Sequence, residues 1–214
     1  MSVKLGLYDF FAQLIGGSFF LAAILYVLQK VMPIPVTILG ASTSQLVILG
    51  TIAYVIGYAT SRIAYYWYRL WSPKDLYRQT IEGLSQELRE KMEVEIRELD
   101  WYTLVAFIKK QNLDMAQDVV QYHAISMMLR STSFGLLVFA AIFFVELILG
   151  KHLAGYLLLS ATCLLVSILL VQEAVRYHKF FFRSIYQSVV ALLLEADQLS
   201  TKFQNRAIPK EHTS

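Results

Sequence analysis

The sequence is poor in the residues that carry chemistry. It holds a single cysteine, Cys163, which excludes an intrachain disulfide and any cysteine-rich metal site. Within its apolar run, Cys163 is expected to be a small packing residue. Charged residues make up only 16% of the 214, against 57% hydrophobic, where a soluble domain carries roughly 45–50% apolar residues. The excess belongs in a bilayer or a very large interface. This argues against an ordinary soluble enzyme and against a disordered chain.

Known catalytic and binding spacings are also missing. There is no phosphate-binding loop of the Walker type, no HExxH, no GxSxG and no zinc-finger spacing. None of His123, His152, His178 and His212 has a partner at metal-ligand spacing in its own helix. Arg206 and His212 repeat the Arg-x5-His form of some ribonucleases, but they lie in a polar tail beside Pro209 and are read as chance. Charge between Arg69 and Arg130 is nearly balanced, which gives no support for a nucleic-acid groove. The expectation is no catalysis, no cofactor, no metal and no direct nucleic-acid binding.

What is present is long apolar runs. A spanning helix needs about 20 mostly apolar residues, and four segments qualify: about Leu7 to Leu28, Leu46 to Trp67, Ser133 to Leu149 and Leu153 to Val171. The first has only Lys4 as a basic start, runs too long for a signal peptide, and has no small-x-small site before Pro33; it is read as an uncleaved span. All but two of the 19 Lys and Arg residues lie in three places. These are before the first span, from the inner part of the second to the start of the third, and after the fourth. The exceptions are Lys30 and Lys151. The positive-inside rule then puts both termini and the central segment in the cytoplasm. The expected location is an inner (plasma) membrane, multi-pass.

The fold expected is an all-α integral membrane protein, with four transmembrane helices as two hairpins. A cytoplasmic helical domain comes from the 70–130 insert and the extended helix after the fourth span. By residue, 1–68 is the first hairpin, 69–130 the insert, 131–172 the second hairpin, 173–200 a continuation of the fourth span, and 201–214 a flexible tail. Ser72-Pro73-Lys74-Asp75 reads as a helix start. Leu84, Leu88, Met92, Ile96 and Leu99 recur at helical spacing opposite a charged face. Asp100 can cap a short helix from Trp101 to Gln111, which Asn112 ends; the next runs from Asp114 through Arg130 into the third span. No breaker interrupts the chain from Gly155 to Leu194, so one helix of about 60 Å is expected there at 1.5 Å per residue. Its projecting part carries Phe180, Phe181, Phe182, Tyr186, Val189 and Leu193. This face is too apolar for water. It must pack on the central helices, another subunit or a partner, and these six residues are the interface candidates.

Arg62 and Arg69, with Tyr65 and Trp67 between them, echo Arg176 and Arg183 after the fourth span. Seven-residue spacing puts each pair on nearly one helix face. These are juxtamembrane basic-aromatic anchors, or, in a sharper reading, a basic ring for an anionic ligand or lipid headgroup. Asp9 and Glu146 are the acids nearest the hydrocarbon, and a charge there is costly enough to flag both. Asp9 can reach water or Lys4; Glu146 can pair with Lys151 or His152. Gly16, Gly17, Gly50 and Gly57 mark the first two spans as close-packing helices.

Tyr8-Asp9-Phe10-Phe11 with Gly16-Gly17, Ile56-Gly57-Tyr58, Arg130 and Arg176-Tyr177 resemble small prokaryotic four-span proteins of antiviral defence islands. In those, a Pro-Gly stands where this chain has Gly16-Gly17. The layout is similar to the membrane subunit of the Kiwa system and to membrane accessory proteins of type VI CRISPR loci. That resemblance implies a non-catalytic inner-membrane defence component, homo-oligomeric, engaging a cytoplasmic protein partner. A pore-forming effector that depolarises the cell is the alternative, and a small-solute channel or transporter ranks third.

Overall fold

The computed structural model describes residues 3–32, 42–73, 101–150 and 153–207, with side chains for 7–32, 42–73, 101–150 and 154–192. Every described element is helical: α1 (Val3–Val31), α2 (Thr43–Trp71), α3 (Trp101–Gln111), α4 (Leu113–Ile148) and α5 (Leu153–Ala207). Four stretches are long and apolar enough to cross a membrane: Leu7–Val31, Thr43–Trp71, Leu113–Ile148 and Ala154–Leu192. The helix expected over Leu84 to Leu99, the loop between the first two spans, and Lys151 and His152 lie outside the described residues.

Local chemistry sets the helix ends. Ser42 and Gln45 form a capping box at the start of α2, each side chain accepting the other's backbone N–H. Asn112 both ends α3 and starts α4: its Oδ1 accepts the N–H groups of Asp114 at 3.0 Å and Met115 at 3.1 Å. After α4, Gly150 takes φ +80°, the left-handed conformation that closes helices where a side chain would be strained. Ser72 closes α2, its N–H donating to the Tyr68 carbonyl at 3.0 Å; the helix expected to begin after it is not described. The last helix runs 55 residues to Ala207, about 80 Å at 1.5 Å per residue. It continues through seven residues expected to belong to a loose tail, because nothing before Pro209 interrupts a helix.

The chain forms two compact units. One comprises Met1–Leu76 and Val120–Lys179, the other Tyr77–Val119 and Phe180–Ser214. The first unit thus takes in residues 120–130 of α4 and 173–179 of α5, where the two helices are paired. Ser126 of α4 donates to the Ala174 carbonyl of α5 at 2.8 Å, and Tyr122 lies against Tyr177 at 6.4 Å between ring centroids.

Within the first unit, α2 and α4 both approach α1 closely. A Cβ at Gly17 would fall onto the carbonyl oxygen of Ala53 and the amide of Gly57; one at Gly57 would fall onto the carbonyl oxygen of Gln13. Only hydrogen fits where two backbones meet this way. Against α4 the numbering of the facing residues rises together. Gly16 meets Ser131 and Gly135 meets Phe19, Phe20 lies 5.5 Å from Phe134 and Tyr26 lies 5.7 Å from Phe143. The two helices therefore run parallel. A small core of Tyr68, Val171 and Ala174, flanked by Trp67, Leu129 and Val175, joins α2, α4 and α5. The outward faces are apolar: Val47, Tyr58, Leu158 and Leu165 are all exposed, as lipid-facing positions are.

Candidate functional site

A polar seam runs between α4 and α5. Ser126, Ser133 and Ala140 stand seven residues apart on α4, and Ala174, Ser167 and Ser160 stand seven apart on α5. They meet in reverse order, so the helices run antiparallel at a heptad step. Each contact puts a hydroxyl on a facing backbone carbonyl. Ser126 donates to Ala174 at 2.8 Å and Ser160 to Ala140 at 2.9 Å. At the centre the bonds are reciprocal: Ser133 donates to the Ser167 carbonyl at 2.7 Å, and Ser167 to the Ser133 carbonyl at 2.8 Å. The Trp67 indole N–H completes the group by donating to Ser133 Oγ at 2.9 Å. Small residues let the backbones approach, and a hydroxyl in hydrocarbon must find an acceptor.

Ser133→Ala removes the hydroxyl that Trp67 and Ser167 share. We expect it to cost about 1–2 kcal/mol, with Ser160→Ala costing less because only one bond goes. The midpoint of denaturant unfolding in detergent reads the difference.

At the opposite ends of these helices a second polar group forms. Lys30 Nζ lies 3.9 Å from Glu146 Oε1 and donates to the Tyr156 hydroxyl at 3.4 Å. It also stands 5.6 Å above the centre of the Tyr26 ring. Glu146, buried on α4, is thus met by a lysine from α1. The partners expected for this acid, Lys151 and His152, lie outside the described residues; the parallel packing of α1 on α4 brings Lys30 to it. Asp9, the other flagged acid, is exposed on α1, and the side chain of Lys4 lies outside the described set.

The basic-aromatic anchors separate. Trp67 is half-buried and turned into the helix contact by its bond to Ser133. Tyr65 is exposed, its ring 5.5 Å from the guanidinium carbon of Arg130. Arg176 is exposed and pairs with Glu173 at 3.5 Å. Arg62, Arg69 and Arg183 are exposed. Within the first unit, the neighbour of Arg62 at a shared cavity is Arg130 of α4, so the pairing crosses helices rather than following the seven-residue spacing along one. His123 of α4 and His178 of α5 lie 6.0 Å apart, with Tyr68 5.7 Å from His178. Cys163 is free and half-buried.

The six interface candidates sit in the second unit. Phe181, Phe182, Tyr186 and Val189 are buried. Phe181, 1% exposed, has its ring edge-on to Trp101 of α3 at 5.4 Å. Of the three alternatives for this apolar face, packing on the chain's own helix accounts for these four. Phe180 is 37% exposed, and the side chain of Leu193 is outside the described set. Among the described residues of this unit, the large apolar side chains that are exposed are Tyr102 and Phe107 on α3, Leu113 at the start of α4 and Phe180 on α5.

Sequence reasoning passed over the seam serines, whose seven-residue recurrence is readable in the chain, and gave Arg130 only a place in a resemblance. No protein-family model, no curated protein and no solved structure matches this chain.

Proposed function

We propose that this chain is a non-catalytic, multi-pass component of a prokaryotic inner membrane, acting in an antiviral defence system. Its four spans anchor it or report membrane state, and its helical unit engages a cytoplasmic protein. The spans form two hairpins with both termini in the cytoplasm, in line with the distribution of Lys and Arg. The observation that carries the reading is the continuity of α4 and α5. Two of the four apolar helices each run unbroken from residues of the first unit into residues of the second. A helix shared in this way links what happens at a bilayer to what binds beyond it.

Tyr102 and Phe107, together with Phe180 and Leu113, supply the apolar surface for a second chain. The exposed faces of the spans supply one for further copies. The leak-forming alternative would line its path with Arg62, the small residues of the first two spans and Glu146, and it is less well supported because several of these are engaged in packing or pairing. Gly17 and Gly57 are filled by backbone, and Glu146 stands beside Lys30.

The test is extraction in native lipid nanodiscs from cells expressing the natural operon, followed by native mass spectrometry and, in parallel, phage plating. A stoichiometric second chain, together with plating that rises when this chain is deleted, is the expected result. Whole multiples of 24.5 kDa without a second chain, or plating unchanged by deletion, contradict the proposal.

A further inference from the structure

Between α2 and α4 lies an open cavity of about 230 Å³ lined by Ser61, Arg62, Tyr65, Tyr66 and Arg130. Two guanidiniums from different helices therefore face one space. No described carboxylate lies within ion-pairing distance of either, although Lys30 and Arg176 both have one. Arg130 is held over the Tyr65 ring, and its Nε is buried with no hydrogen-bond partner among the described residues. A buried donor without an acceptor is costly, and two uncompensated like charges at one cavity repel. An anion answers both. Tetrahedral oxyanions suit arginine in particular, because the fork of N–H donors matches their oxygens, and the Ser61 and tyrosine hydroxyls supply further donors.

The surroundings indicate what carries the anion. Tyr66 also lines a neighbouring groove of about 490 Å³ formed with Ile63, Trp67, Leu70, Phe134 and Arg69. Its walls are mainly apolar, and Ile63 and Leu70 are exposed. A charged recess beside an open apolar groove has the two-part chemistry of a phospholipid, phosphate in one and acyl chain in the other. It lies at the end of the bundle that the charge distribution assigns to the cytoplasmic leaflet, where basic recesses between spans take headgroups.

We propose that this cavity is a phosphate-binding site, formed by Arg62 and Arg130, that takes the headgroup of an anionic phospholipid. The site does not depend on the defence role or on a protein partner. Its test is native mass spectrometry of the full chain in mild detergent, titrated with phosphatidylglycerol, with phosphatidylcholine, and with phosphatidylglycerol plus millimolar inorganic phosphate. The expected result is one phosphatidylglycerol bound more tightly than phosphatidylcholine. Arg62→Gln and Arg130→Gln each weaken it about tenfold or more, the loss of one charge-assisted bond, and Arg176→Gln leaves it unchanged. Retention of the lipid against inorganic phosphate assigns the site to a headgroup. Displacement by phosphate, lost in Arg62→Gln, keeps the phosphate site but gives it a soluble ligand. Arg62 is exposed, so its variant folds even where Arg130→Gln does not. Phosphatidylglycerol binding by Arg62→Gln equal to that of the unaltered chain overturns the proposal. So does an equal loss in Arg176→Gln.

Discussion

Gly17→Ala and Gly57→Ala are expected to destabilise the protein, while Gly50→Ala and Gly155→Ala stabilise it slightly. The chemical change is the same in all four, so the sign is set by what the new methyl group meets. At Gly17 it meets the backbone of Ala53 and Gly57, and at Gly57 it meets the backbone of Gln13 and Gly17. Backbone in a helix cannot rotate aside, so α1 and α2 must separate along their whole contact. Overpacking of this kind costs about 1–3 kcal/mol, and the rigid obstacle places these two at the upper end. A Cβ at Gly50 lies 3.9 Å from Leu14 Cδ1, and one at Gly155 meets nothing within 4 Å. There the substitution only removes glycine's freedom in the unfolded chain, a gain of roughly 0.5–1 kcal/mol. Detergent unfolding midpoints for the four variants read the split. A uniform shift in one direction contradicts the close approach of α1 and α2.

Phe181→Ala is expected to cost about 3–5 kcal/mol, the range for emptying a core aromatic site. Phe181 is almost fully buried and packs edge-on against Trp101. The loss therefore falls on the unit containing α3, and hydrogen exchange of the α3 amides quickens while those of α1 and α2 keep their protection. Phe180→Ala, at a neighbouring exposed position, changes exchange little. The contrast separates a core residue from a docking residue. If Phe181 were part of an open partner face, its variant would keep full protection and lose only the partner.

The helices themselves were legible because they depend on local signals. Four apolar runs, the absence of proline within them, and Asn112 between two helical patterns are enough to place α1, α2, α4 and α5 and to separate α3 from α4. The contacts between helices were less legible. In an apolar helix the packing face is marked by small residues rather than by hydrophobic ones, and Ser126, Ser133, Ser160 and Ser167 stand out little among leucines and phenylalanines. Arg62 was paired with Arg69 because helical spacing is visible along one helix. Its neighbour at the cavity, Arg130, is remote in sequence and is brought there only by the packing of α4. For the same reason the sequence leaves three possible covers for the Phe180–Phe182 run, the central helices, another subunit or a partner, since Trp101, which packs on Phe181, belongs to a helix remote in sequence.

The proposed role requires the helical unit to lie on the cytoplasmic side of the membrane. The chain has one cysteine, so a Cys163→Ala background carrying a single Leu149→Cys or Thr103→Cys gives an unambiguous label. Both positions are exposed, one beside the Gly150 turn and the other on α3. A membrane-impermeant maleimide applied to intact spheroplasts is expected to label Leu149→Cys at once and Thr103→Cys only after lysis. Labelling of Thr103→Cys in intact spheroplasts would put α3 outside the cell and contradict a cytoplasmic helical unit.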